Sequence, residues 1–167
     1  LATVFRDEVN EDLPTKSTIG NKSSDLVGNF SFKPNKIINF NYDFSLDNNL
    51  DRSNYDSIQT TLSVNNFVTT FEYLEENNEI GNESFIANNT SLKFNDSNSL
   101  KFATRKNKKT DLTEFYKLVY QYQNDCLKAA IEYNKNYYED SDLKPSENIF
   151  FSLTIVPLGT ATGPNIK

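Results

Sequence analysis

The sequence predicts an all-β fold, an antiparallel up-and-down meander of about nine strands, within 167 residues. Three observations carry it. From Asn35 to Leu158, every run between polar breaks alternates apolar with polar side chains, the period of a strand with two unlike faces. The breaks themselves alternate in length. Short ones fall at Pro34-Asn35, Asn65-Asn66, Asp96-Ser97-Asn98 and Asn124-Asp125; longer ones run Asp47 to Asn54, Glu75 to Glu83, Arg105 to Asp111 and Glu139 to Glu147. Aromatics make up 13% of the chain, all Phe and Tyr, and concentrate near strand ends. A barrel that crosses a bilayer with strands has tight turns on one side, long loops on the other, and aromatic girdles at both interfaces. The expected architecture is therefore part of a larger transmembrane β-barrel of the outer-membrane kind.

Taken in order, Thr3 to Arg6 reads as the tail of a preceding strand, residues 7–24 as an outer loop, 25–158 as the strands, and 159–167 as a C-terminal tail. After a first strand at 25–33, the run 36–46 sets Lys36, Ile38, Phe40, Tyr42, Phe44 and Leu46 against Asn39, Asn41, Asp43 and Ser45. Next, Ile58, Leu62 and Val64 oppose Ser57, Gln59, Thr61 and Ser63. Phe67, Phe71 and Tyr73 follow, with Val68 and Leu74 off the pattern. Ile86, Leu92 and Phe94 then face away from Asn89, Ser91 and Lys93, and Leu100 and Phe102 away from Lys101 and Arg105.

The segment 112–122 has a composition that also suits a helix, but its period of two and its aromatics decide for a strand. There Tyr116, Leu118, Tyr120 and Tyr122 oppose Lys117, Gln121 and Gln123. Leu127, Ala129, Ile131 and Tyr133 come next, backed by Lys128, Glu132 and Asn134. In the last run, Asn148 to Leu158, one face is Ile149, Phe151, Leu153 and Ile155; Phe150 and Val156 make the other partly apolar, and Pro157 stops the ladder. The runs are about 9–12 residues long, enough for a tilted strand to cross a bilayer.

A net charge of -6 argues against nucleic acid as a partner, since nucleic acid demands clustered basic surface. Histidine is absent, so zinc sites built on His and Ser-His-Asp catalysis lack their material. No catalytic residue, cofactor or metal site is expected. A mean hydropathy of -0.63 fits a barrel, where only every second residue faces lipid. The chain starts at Leu1 and contains no Met, which reads as the C-terminal piece of a longer polypeptide. Its many Asn residues are explained as well by compositional drift as by function. The acidic strings Glu75-Glu76 and Asp140 to Asp142 sit in expected outer loops, where carboxylates could bridge divalent cations; solvated loop charge is the favoured reading.

The last third carries a family resemblance. From Phe115 to Tyr138 the chain reads FYKLVYQYQNDCLKAAIEYNKNYY, continuing through DLKPSENIFFSLTIVPLG to Gly159. The Tyr-x-Tyr strand, the Asn-Asp-Cys turn, the Glu-Tyr-Asn strand with its Tyr pair, the Asp-Leu-Lys-Pro loop and the Phe-Phe-Ser strand resemble the C-terminus of the lipopolysaccharide-assembly family LptD (OstA/Imp), alphaproteobacterial type. Phe5-Arg6-Asp7, Asp12-Leu13-Pro14 and Ser24 to Gly28 resemble it too, whereas 35–110 carry only the strand pattern. The resemblance implies an outer-membrane barrel, not an enzyme, that delivers lipopolysaccharide to the outer leaflet. It also implies the rest of the same chain, a lipoprotein plug of the LptE type, periplasmic lipopolysaccharide-bridge proteins and the barrel-assembly machinery as partners.

Two sites follow from the resemblance. In that family a Cys at the turn occupied by Cys126 forms a long-range disulfide to an N-terminal periplasmic domain. Many relatives have two adjacent Cys there, whereas Cys126 is followed by Leu127. A small buried thiol on a strand is the competing reading of Cys126. The final strand, with Ile149, Phe151, Leu153, Ile155 and Pro157, would border the seam through which lipid leaves; it would equally serve as the signal for barrel insertion. From the alternation, Gln59, Lys93, Lys101, Lys117, Gln121, Lys128 and Glu132 are expected to face a polar lumen. The rivals are a general porin or adhesion barrel and a soluble β-rich binding module, since a sandwich with one dry face alternates in the same way.

Overall fold

Alternating side chains on a pleated backbone leave each strand with two faces and two edges, and the edges must be paired. The computed structural model describes residues 1–13, 18–77, 81–137, 144–155 and 159–163. Among them, ten strands form one antiparallel sheet whose spatial order is the sequence order. They are β1 (Leu26–Phe32), β2 (Ile38–Leu46), β3 (Ser53–Val64), β4 (Phe67–Glu76), β5 (Ser84–Lys93), β6 (Asn98–Asn107), β7 (Leu112–Gln123), β8 (Leu127–Asn136), β9 (Ser146–Ile155) and β10 (Gly159–Thr162). The only helical element described is a single 3-10 turn at Thr18–Gly20. The all-β meander read from the sequence is what the chain forms, with one more strand than expected.

The additional strand is short. Gly159 to Thr162 folds back on β9, pairing Gly159 with Ile155 and Thr162 with Ser152. Four residues are too few to show an alternation, so the sequence read them as tail. Pro157 and Val156, placed in the final strand by sequence, lie outside the described residues.

The chain divides into two compact units: Leu1–Thr61 with Phe71–Ile86, and Leu62–Thr70 with Ala87–Lys167. In the first, residues 2–6 run antiparallel to 22–27. Ala2 and Val27 exchange two backbone hydrogen bonds at 2.8 and 2.9 Å, and Ser24 N–H donates to the Val4 carbonyl at 2.8 Å. Part of the expected outer loop 7–24 is thus the return arm of a hairpin that meets β1 only at its start, at Val27. Asp25 fastens it: its buried carboxylate accepts from Ser45 Oγ at 2.9 Å and Asn54 Nδ2 at 2.7 Å. Gly28 lies opposite Phe44 in the β1–β2 ladder, and a Cβ at that position would collide with the Phe44 ring.

Three of the four short turns share one device. Asn35 Oδ1 accepts the backbone N–H groups of Ile37 and Ile38 at 2.8 and 3.0 Å. Asn95 Oδ1 accepts those of Ser97 and Asn98 at 2.9 and 2.8 Å, and Asn124 Oδ1 those of Cys126 and Leu127 at 3.0 and 2.7 Å. This is the local side-chain substitute for a backbone turn that Asn offers. At the remaining short turn Asn65 adopts φ 49°, a left-handed conformation that Asn tolerates better than most residues. Asn98, assigned to the third turn by sequence, begins β6, and Asn95 anchors that turn instead.

The longer breaks are less long than they read. β6 runs on to Asn107 and β7 starts at Leu112, so the expected loop Arg105 to Asp111 contracts to Lys108–Asp111. A bulge absorbs the difference: Arg105 pairs with Phe115 and Lys106 with Thr113, leaving Glu114 as the extra residue. Glu75 and Glu76 likewise belong to β4 and not to a loop.

Candidate functional site

Register converts the alternation into two surfaces. In the second unit, β6 to β9 set apolar side chains in rows: Phe102, Leu118, Tyr133 and Ile149 in one, Leu100, Tyr120, Ile131 and Phe151 in the next. Tyr122, Ala129 and Leu153 continue the same face. The opposite face carries Lys101, Val119, Glu132 and Phe150 in one row and Ala103, Lys117, Asn134 and Asn148 in the next. Gln121 and Lys128 share that face, opposite Ala130 and Gln123 respectively. Five of the seven expected lumen residues therefore lie on one surface, as the parity of the sequence requires. Lys93, at the end of β5, alternates in step with Asn89 and Ser91.

The apolar face is not covered. Ala87 is the one buried hydrophobic residue among those described, while Ile131, Phe151, Phe30 and Phe71 are 49, 47, 53 and 50% exposed. A soluble sandwich would pack that face against a second sheet about 10 Å away. Among the described residues all ten strands belong to one hydrogen-bonded sheet.

In the second unit, tyrosine hydroxyls bond polar groups towards both ends of the apolar rows. At the short-turn end of the second unit, Tyr120 Oη donates to Asn98 Oδ1 and Asn124 Nδ2 donates to Tyr122 Oη at 3.2 Å. At the loop end, Tyr133 Oη donates to Glu147 at 3.1 Å, and Lys135 Nζ meets the same carboxylate at 3.4 Å. In the first unit Tyr42 Oη donates to Asp56 at 2.6 Å. Aromatics of both kinds occur at strand ends and inside strands: Phe67 opens β4 and Phe32 closes β1, while Tyr42 lies at the middle of β2. Phe30, Phe71 and Phe102 sit well inside their strands.

The polar face is organised by ion pairs and amides. Lys117 Nζ lies 2.7 Å from Glu132, diagonally across the β7–β8 ladder. Gln121 Nε2 donates to Gln123 at 3.2 Å, and in the first unit Gln59 Nε2 donates to Glu72 at 3.2 Å. Arg105 Nε meets the bulged Glu114 at 2.8 Å. Lys101 and Lys128 have no carboxylate within ion-pair distance among the described residues.

Cys126 is exposed in the β7–β8 turn with its thiol free, which is not the buried strand thiol of the competing reading. The Ile149, Phe151, Leu153 and Ile155 stripe forms one face of β9. β10 covers the outer edge of β9 from Ser152 to Ile155, and Gly163 N–H extends that cover to the Phe151 carbonyl at 2.9 Å. Pro157 and the acidic string Asp140 to Asp142 lie outside the described residues. Sequence reasoning missed the Asp25–Ser45–Asn54 knot, the Glu114 bulge and the tyrosine–carboxylate pairs. Only the repeated Asn before each turn gave a signal that could have been read.

No model of a known protein family matches this chain, and no curated protein matches it either.

Proposed function

We propose that this chain is a segment of an outer-membrane β-barrel that serves lipopolysaccharide transport, as its resemblance to the LptD family implies. The observation that carries the membrane part is the uncovered apolar face, which in water would cost on the order of 25 cal/mol for every Å² left wet. In a bilayer the same face meets acyl chains, and the tyrosines towards the ends of its rows sit where head groups begin. The opposite face, with its lysines and amides, then lines a watery interior along which a sugar head group passes. The acyl chains leave at the seam beside β9. The transport part rests on the quoted motifs and on the exposed Cys126 at a tight turn.

Two measurements test the two parts separately. Expressed without detergent, the chain should aggregate; a monodisperse soluble monomer would overturn the membrane reading. Depletion of the full-length protein from the cells that make it should reduce lipopolysaccharide at the cell surface. Unchanged surface labelling, with the protein located in the outer membrane, would leave the barrel and remove the cargo.

A further inference from the structure

We propose that the polar face of β6–β8 holds an anion site in which Lys101 and Lys117 grip a phosphate-type group and Glu132 competes with it. Lys101 stands opposite Val119 and Lys117 opposite Ala103, so the two lysines are diagonal neighbours on one face of adjacent strands. Diagonal positions lie about 7–8 Å apart, within reach of two four-carbon stems closing on one anion. Between them the floor is cleared. Ala103, Val119, Ser91 and Asn89 line an open groove of about 450 Å³ that also takes in both lysines.

The charge around the groove is not that of the whole chain. The protein carries -6 overall, yet this face of β6–β8 presents Lys101, Arg105, Lys117 and Lys128 against Glu132 and the bulged Glu114. Arg105 is matched by Glu114 in the bulge. Lys101 lacks an ion-pair partner among the described residues, and Lys117 is held by Glu132 at 2.7 Å. An arriving dianion offers three acceptor oxygens to both ammonium groups, more than one carboxylate can. Lys117 therefore exchanges Glu132 for the ligand, and Glu132 keeps the site weak enough to release it. A transient grip suits a path better than a tight one.

This deepens the reading above by naming the group that the interior would contact, the phosphate head of an amphiphile, and rests on that reading for the amphiphile alone. The test is titration calorimetry on the full chain in dodecyl maltoside micelles at low ionic strength, with inorganic phosphate in one arm and dodecyl phosphate in the other. Lys101→Ala should weaken binding, and Glu132→Gln should strengthen it by up to about fivefold, the scale of a half-exposed ion pair. A purely structural role for the Lys117–Glu132 pair cannot produce that gain. Wild-type affinity in Lys101→Ala, or no gain in Glu132→Gln, overturns the site, provided both variants keep the wild-type strand signal in circular dichroism. If Lys101→Ala loses that signal, Lys101→Gln takes its place. Tighter binding of dodecyl phosphate than of phosphate supports the amphiphile, and equal binding overturns it while keeping the anion site. A chain that stays monomeric without micelles is titrated in water with inorganic phosphate, so the site is judged even if the membrane reading fails.

Discussion

The side chain of Asn124 fixes the backbone that presents Cys126: its Oδ1 accepts the Cys126 N–H at 3.0 Å and the Leu127 N–H at 2.7 Å. That amide oxygen closes the β7–β8 reversal together with the main-chain bond from Asn124 N–H to the Leu127 carbonyl at 2.8 Å. Asn124→Ala should destabilise the protein by about 1 kcal/mol, the net worth of one such bond with its partner left to water. Asn35→Ala and Asn95→Ala should cost similar amounts. Urea unfolding of the refolded protein in detergent measures all three; wild-type midpoints would mean that strand pairing alone makes the turns.

Cys126 should be oxidised in the full-length protein, paired with a Cys outside this chain. Its thiol is exposed at a tight turn, and a barrel's tight turns face the periplasm, where disulfides persist. A bridge closing a long loop contributes a few kcal/mol by restricting the unfolded chain. Non-reducing gels should separate wild type from Cys126→Ser. Equal mobility, with the wild-type thiol open to maleimide, would remove the bridge.

Substitutions on the two faces should differ. Leu118→Arg and Ile131→Arg place a cation in the exposed apolar rows and should each cost roughly 2–4 kcal/mol if near mid-bilayer. Lys128→Leu, on the polar face opposite Thr154, should cost much less. Heat-modifiable mobility after insertion compares the three. Equal tolerance would reverse the assignment of inside and outside.

Asp111 gives a pH signature in the β6–β7 turn. Lys106 Nζ lies 2.6 Å from its carboxylate and holds that carboxyl below the usual range. A depressed folded value means that the pair's contribution is present above the unfolded value, about 3.9, and is lost as pH falls through the folded one. Asp111→Asn should therefore match wild type in strong acid and lag slightly at neutral pH, by a small amount because the aspartate is well exposed. Asn also keeps the left-handed φ of 53°, which Ala would not. Amide exchange in Lys108–Asp111 at the two pH extremes checks both points.

The faces were legible because strand parity is rigid. Once Leu118 and Ile131 are assigned to one side, the register leaves Lys117 and Glu132 no choice. Backbone events were not. The residues 2–6 are held to 22–27 by main-chain bonds that need no side-chain rhythm. The bulge at Glu114 shortens a loop without any marker in composition, and β10 is too brief to have a period. The Lys117–Glu132 pair was half legible: both residues were placed on the polar face, but their diagonal meeting depends on a register that spacing alone does not set.

That Ala87 is the one buried hydrophobic residue among those described has an evolutionary consequence. Most proteins are held to their sequence by interlocking interiors, where one methylene too many or too few is felt. A sheet whose apolar side chains project outward asks of each only that it be greasy, and of its neighbour only that it be wet. Mutation can then wander freely so long as the beat of two and the turn asparagines survive. Relatives of this chain should share its rhythm far more than its residues, and are best sought by periodicity.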